Sequence, residues 1–164
     1  MADHDRVRHR ARIELSGRTS AHVTAAAKTW IASLDKNDPD YQHHLLEGLW
    51  LYQSHNLVNE DLLRQMLRSP EPRARAAATR VLVYWRDRVA KPLELLQVQV
   101  NDENSRVRLQ AIWALSFFTG ADAEKASEIA VESLVHDQDE YIKHTLNETN
   151  KTLDRRVKMV KESK

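Results

Sequence analysis

The chain has 164 residues but no cysteine, only three glycines and four prolines, and a formal net charge of +1. The absence of cysteine excludes disulfides, thiolate metal sites, a cysteine nucleophile and c-type haem attachment within this sequence. Three glycines are too few for the many tight turns of a β-barrel or β-sandwich. A charge near zero gives no overall bias towards nucleic acid or acidic membranes.

Long hydrophobic runs are also missing. No window approaches the ~18 consecutive apolar residues of a membrane helix, so we expect no membrane insertion. The first ten residues are charged and lack the apolar stretch of a signal peptide. The apolar fraction of 41% and the charged fraction of 30% are typical of a folded domain.

An internal repeat with a period of 33 to 34 residues is the strongest feature of the sequence. The five aligned copies begin at Val7, Tyr41, Ala74, Val107 and Tyr141. Four residues on, the column is mostly small, and eight residues on it is mostly leucine: Ala11, Leu45, Ala78, Ala111 and Thr145, then Leu15, Leu49, Leu82, Leu115 and Thr149. These positions share one helical face, so each copy is predicted to be an amphipathic helix.

A second set of helices is predicted between these copies, over residues 21–34, 59–67, 92–100 and 121–135. Breaks that contain proline, asparagine, aspartate or serine precede the second to fifth copies, where a helix pair requires them. We therefore predict an all-α solenoid, a right-handed superhelix of about nine helices in antiparallel pairs. A single domain over residues 1–164 would hold repeats at about 3–35, 38–68, 70–100 and 103–135 and a final half-repeat at 138–158.

The repeat motif resembles the HEAT repeat. Its clearest copy has Asp102, Val107-Arg108, Ala111 and Ala114-Leu115, whereas tetratricopeptide and ankyrin signatures are absent. The runs at residues 5–15, 40–47, 73–82 and 84–89 also resemble the helical region of large exported bacterial haem-binding proteins of the membrane-bound dehydrogenase type. That resemblance implies a periplasmic or cell-envelope location, with propeller-like and cytochrome c domains as neighbours. The propeller and the haem motif are not in this sequence, so neither activity is carried over.

A histidine-rich segment offers a candidate metal site. His43 and His44 lie four and three residues before Glu47, so the carboxylate could meet either imidazole on a helix. His43 and His44 diverge by about 100° on a helix, which disfavours binding of one ion by both. Ordinary hydrogen bonding on the helix surface is the favoured interpretation, and no cofactor is predicted.

Arginines recur at one position of the repeat, at Arg8, Arg75 and Arg108. Stacked arginines could follow the phosphates of a nucleic acid. We favour a structural ladder, in which each arginine bonds to an acid such as Asp102 or to a helix end in the neighbouring repeat.

No nucleophile elbow, phosphate loop or zinc motif is present, so we predict a protein that is not an enzyme. The predicted function is a protein-interaction or interdomain scaffold, whose partner is a protein or an adjacent domain of a larger chain. The surface of the second helices would bind it, through Lys28, Glu60, Arg64, Lys125, Glu128 and Glu132. The alternatives are a nucleic-acid-binding protein, which the near-neutral charge disfavours, and a metal-dependent enzyme that uses the histidines.

Overall fold

The computed structural model describes the backbone of residues 2–162 and the side chains of residues 6, 7 and 9–159. Nine α-helices and one short 3-10 helix lie in this part of the chain, which contains no strand. The prediction of an all-α class is therefore confirmed. The chain groups into two compact units, residues 1–66 and 67–164, and each is described by itself.

Unit 1 contains four helices, whose bounds follow the predicted pairs: α1 (Ala2–Ser16), α2 (Ser20–Ala32), α3 (Tyr41–Ser54) and α4 (Glu60–Met66). Helix α3 packs against both α2 and α4. Its glycine, Gly48, allows a close approach, because a Cβ there would lie 2.7 Å from the Cδ1 atom of Ile31 on α2. The core of this unit is formed by Leu45, Leu49, Leu62, Leu63 and Met66.

Unit 2 contains α5 (Pro72–Trp85), α6 (Pro92–Val100), α7 (Ser105–Leu115), α8 (Asp122–Glu132), the 3-10 helix Ser133–Val135 and α9 (Glu140–Glu162). Helices α5, α7 and α9 pack side by side, and α6 and α8 pack against one another and against α7. This is the two-layer stacking of helical repeats, in which each pair contacts only its neighbours.

Polar side chains begin the helices of unit 2 at regular places. The carboxylate of Glu71 and the side-chain oxygen of Asn104 accept hydrogen bonds from the backbone nitrogens two residues later, at 3.1 and 3.0 Å. Pro72 occupies the first turn of α5, where its missing N–H has no helical partner to lose. Helices α5 and α7 thus begin where the sequence predicted a break.

The core columns are buried in the middle copies and hold only in part at the fifth, where Thr149 is buried and Thr145 is half-buried. Ala74, Ala78 and Leu82 are buried, and so are their counterparts Val107, Ala111 and Leu115. The prediction that Tyr141 begins the fifth column is wrong, since it is 78% exposed while Ile142 is 1% exposed. The carboxylate of Asp139 accepts from the nitrogen of Ile142, which advances the buried face by one residue.

Candidate functional site

Unit 1 contains an open groove. It has a volume of about 720 Å³ and lies between α1 and α3, with α2 beside them. Apolar side chains line most of it: Val7, Ala11, Leu15, Val23, Ala26, Ala27, Trp30 and Leu51. The polar lining residues are Arg12, Asp40, His43, His44 and Glu47. An apolar concavity of this size with a few polar groups is typical of a binding site.

The groove arises because the repeat column is uncovered in the first copy. Val7, Ala11 and Leu15 occupy the column positions that are fully buried in the third and fourth copies. In α1, Val7 is 66% exposed, Ala11 is also exposed, and Leu15 is half-buried. A sequence pattern that elsewhere forms core therefore presents an apolar surface on α1.

An ion pair joins the two helices that flank the groove. The Nη2 atom of Arg12 on α1 donates to both carboxylate oxygens of Glu47 on α3, at 2.8 and 2.7 Å. The guanidinium also lies 5.1 Å from the centre of the Trp50 ring, within the range of a cation–π contact. Arg12 therefore links α1 to α3 at the polar side of the groove, a contact that the sequence analysis missed.

The candidate metal residues lie at this polar side, but the two histidines lie near different carboxylates. The Nε2 atom of His43 is 3.4 Å from Glu47, while the Nδ1 atom of His44 is 3.8 Å from Asp38. The two imidazole rings are 6.3 Å apart, and His44 meets the edge of Trp30 at 6.1 Å. Among the residues whose placement is described, no three histidine, aspartate or glutamate side chains are grouped to hold a metal ion.

In unit 2, Arg75 connects the loops that precede two successive repeats. Its Nε and Nη2 atoms donate to the two carboxylate oxygens of Asp102 at 2.7 and 2.8 Å, and its Nη1 atom donates to the carbonyl of Ser69 at 2.9 Å. The hydrogen bond with Asp102 raises the pKa of Arg75 above its ordinary value, and Glu103 adds to this effect. A buried bidentate pair of this kind fixes the geometry of both groups.

Arg108 repeats this arrangement one copy later. Its Nη1 atom donates to the carbonyls of Asp102 and Glu103 at 2.9 and 3.0 Å, and its Nη2 atom donates to the carbonyl of Asp137 at 2.9 Å. The acceptor in the following loop is thus a backbone carbonyl rather than a carboxylate. The side chain of the third predicted member, Arg8, lies outside the described residues.

The residues predicted to bind a partner through the second helices are partly engaged with one another. Arg64 donates to Glu60 at 2.6 Å, and Lys125 donates to Glu128 at 3.0 Å. Glu132 accepts hydrogen bonds from Gln97 and Asn101, which join α8 to α6. Lys28 is exposed on α2.

Two further contacts of unit 2 were not predicted. Arg156 on α9 donates to the carbonyls of Ser116 and Phe118, beyond the end of α7. Arg80 on α5 lies over the ring of Trp113 on α7, at 5.8 Å from the ring centre. Both arginines act between elements far apart in sequence, so helical spacing alone does not reveal them.

No helix in the described part of the chain combines the length and the apolar character that crossing a membrane requires. Searches of curated proteins and of solved structures found no match to this chain. A family model for HEAT repeats matches residues 59–149, which is more than half of the sequence. The match covers the third and fourth copies, where the buried columns and the paired helices were found, and most of the fifth. The chain belongs to the HEAT-repeat family.

Proposed function

We propose that this chain is a non-catalytic protein-interaction scaffold and that the groove of unit 1 binds an amphipathic helix of a partner protein. HEAT repeats commonly serve as interaction scaffolds, and the family is generally not catalytic. The uncovered column formed by Val7, Ala11 and Leu15 is the observation that carries the proposal.

A helix is the occupant that this column favours. In the third and fourth copies, the equivalent side chains are covered by helices packed alongside. From Val7 to Leu15 the column is about 12 Å long, which matches two turns of a partner helix with apolar residues at i, i+3, i+4 and i+7. Burial of each large apolar side chain stabilises such a complex by about 1–2 kcal/mol. The polar side of the groove carries charged groups of both signs, which would contact the polar face of the partner helix.

Site-specific photo-crosslinking tests this assignment. A photoreactive amino acid at Val7 would report on the groove, and the same amino acid at Ile13 is the matched control, because Ile13 is exposed on α1 but does not line the groove. We expect a discrete crosslinked partner from position 7 whose crosslinked segment has an amphipathic helical pattern. The substitution Ala26→Trp, which would fill the groove, should abolish it. The same products from both positions would contradict the proposal.

The surface of the second helices is the other site that the sequence favours. If it contributes to binding, alanine substitutions at Lys28, Arg64 and Lys125 should weaken the complex with the partner identified by crosslinking. Binding that is unchanged by these substitutions but lost with Ala26→Trp would assign recognition to the groove alone.

The finer proposal concerns the parent protein. The sequence resemblance to exported haem-binding proteins of the membrane-bound dehydrogenase type supports a module that connects a propeller-like domain to a cytochrome c domain in the bacterial cell envelope. The gene sequence on both sides of the region that encodes this chain provides the test. Flanking propeller and Cys-x-x-Cys-His segments are expected, and a reading frame without them would contradict this origin.

A further inference from the structure

We propose that a basic face on α5 and α7 of unit 2 is a docking site for an acidic segment of a partner protein. The face consists of Arg73, Arg80 and Tyr84 on α5 and Arg106 and Trp113 on α7, and it is called the arginine–tryptophan face below. It belongs to unit 2 and does not depend on the groove of unit 1, so either proposal could hold without the other.

The repeat itself builds this face. Arg73, Arg80 and Tyr84 are spaced at i, i+7 and i+11 on α5, so they lie on one side of that helix. Arg106 and Trp113 occupy the same positions, 33 residues later, on the adjacent helix α7. Arg73, Arg80, Tyr84 and Arg106 are exposed and Trp113 is half-buried. Two neighbouring helices therefore place residues from equivalent repeat positions on one side, with an exposed arginine at the start of each helix.

None of the three arginines of this face forms an ion pair with a described residue. Arg75 and Arg108 on the same helices are instead buried and donate to groups in the loops of unit 2. The acids that precede the helices are committed elsewhere. Glu71 accepts from a backbone nitrogen, and Glu103 pairs with Arg75.

The positions of two arginines are unfavourable for the isolated fold. Arg73 and Arg106 are each the second residue of a helix, where the helix dipole disfavours a positive charge. No carboxylate of the described residues compensates either guanidinium by an ion pair. Both arginines thus occupy a helix position that is unfavourable for a positive charge. The recurrence of this feature at equivalent positions indicates that Arg73 and Arg106 have a role other than stabilising their helices.

The aromatic rings favour an acidic protein over a nucleic acid. Single-stranded nucleic acids bind by stacking bases on free aromatic faces. Here the guanidinium of Arg80 lies over Trp113, and Arg86 lies over Phe117, which in turn meets Trp113 edge-on at 4.7 Å. Trp113 and Phe117 are half-buried and each has an arginine over its ring, so less of their surface is open to a stacking base, although Tyr84 is exposed. The guanidinium groups of the face suit carboxylates. The adjacent helix α9 bears ion pairs of both signs, Lys143 with Glu140 and Lys151 with Glu148, so the basic face is bounded there.

Fluorescence anisotropy with three labelled probes tests the proposal on the full chain: a glutamate-rich peptide with interspersed leucine and tyrosine, its lysine-for-glutamate counterpart, and single-stranded DNA. We expect the acidic peptide to bind more tightly than either of the others, and binding to weaken as salt rises. The triple variant Arg73→Ala, Arg80→Ala, Arg106→Ala should reduce the affinity for the acidic peptide by about tenfold or more.

Arg68→Ala is the matched control, because Arg68 is an exposed arginine of the same unit outside this face and forms no ion pair among the described residues. The affinity of the Arg68→Ala variant for the acidic peptide should stay within about twofold of that of the unaltered chain. Thermal unfolding followed by circular dichroism should show that the triple variant remains folded. Arg80→Lys provides a second variant that keeps the charge and loses the planar group. An unchanged affinity in a folded triple variant, no binding of the acidic peptide, or tighter binding of DNA would overturn the proposal. The groove variant Ala26→Trp should leave peptide binding intact, which separates this proposal from the proposed function.

Discussion

The pair of Arg75 and Asp102 should be among the most strongly coupled in unit 2. Each side chain is only 10% exposed, and Arg75 donates to two carboxylate oxygens of Asp102. Removing one partner leaves a buried group without its counter-charge, so Arg75→Ala should lower the free energy of unfolding by about 3–5 kcal/mol. The double-mutant cycle with Asp102→Ala should give a coupling free energy of about 2 kcal/mol, which exceeds that of an ordinary surface pair.

Urea denaturation of the full chain, followed by circular dichroism, measures this cycle. The matched control is Lys125 and Glu128, an ion pair of the same unit whose side chains are 56% and 62% exposed. Its coupling should be below about 0.5 kcal/mol, because solvent screens an exposed pair. A coupling free energy for Arg75 and Asp102 no larger than that of the control pair would show that burial does not strengthen this ion pair.

The pH dependence of the same variant follows from the pKa of Arg75. The hydrogen bond with Asp102 raises that pKa in the folded state. The pair's contribution to the free energy of unfolding is therefore fully present below the arginine pKa of the unfolded chain. It is lost only as the pH rises through the higher pKa of the folded chain. The loss caused by Arg75→Ala should therefore be constant between about pH 7 and 10, well below the ordinary arginine pKa.

Three further predictions concern the core and the helix ends of unit 2, and chemical denaturation measures each. Ile142→Ala should cost about 2–4 kcal/mol and Tyr141→Ala less than about 0.5, because only the isoleucine is buried. Arg156→Ala should cost about 1–3 kcal/mol, since it removes the hydrogen bonds to two carbonyls beyond α7, whereas the exposed Arg155 is a control with little effect. Trp85→Ala should cost about 3–5 kcal/mol, because this side chain is 1% exposed in the core of unit 2.

Each of these comparisons has an outcome that would contradict it. Equal losses for Ile142→Ala and Tyr141→Ala would mean that the fifth column keeps the register of the earlier copies. A loss for Arg156→Ala no greater than for Arg155→Ala would show that the carbonyls beyond α7 need no side-chain donor. A small loss for Trp85→Ala would contradict the close packing of this side chain in the core of unit 2.

The periodicity predicted the helices well because each middle copy meets the same neighbours. Repetition of Ala74, Ala78 and Leu82 at Val107, Ala111 and Leu115 produced the same burial twice. The fifth copy departs because the capping residues, rather than the columns, set the register. Asn104 and Asp139 are 35 residues apart, so counting from the cap selects Ile142 instead of Tyr141.

The groove and the contacts around it could be predicted only in part. His43, His44 and Glu47 stood out by residue type, but nothing in the spacing shows that Val7 is uncovered in α1, because its column resembles the buried ones. Exposure depends on whether a neighbouring helix covers the face, which is a tertiary property. The link from Arg12 to Glu47 spans 35 residues, beyond the reach of helical spacing.

The arginines at positions 75 and 108 have a consequence for how unit 2 unfolds. Each one bonds to the carbonyl six residues before it, in its own loop, and also to a group in the loop of the next repeat. The hydrogen bonds of these arginines therefore stabilise the interface between neighbouring repeats. The free energy of such interfaces is what makes a linear array of repeats unfold as one unit. Without these two arginines, α5 would unfold while α7 and α9 stay folded, so that a single sharp unfolding transition would become two broader ones.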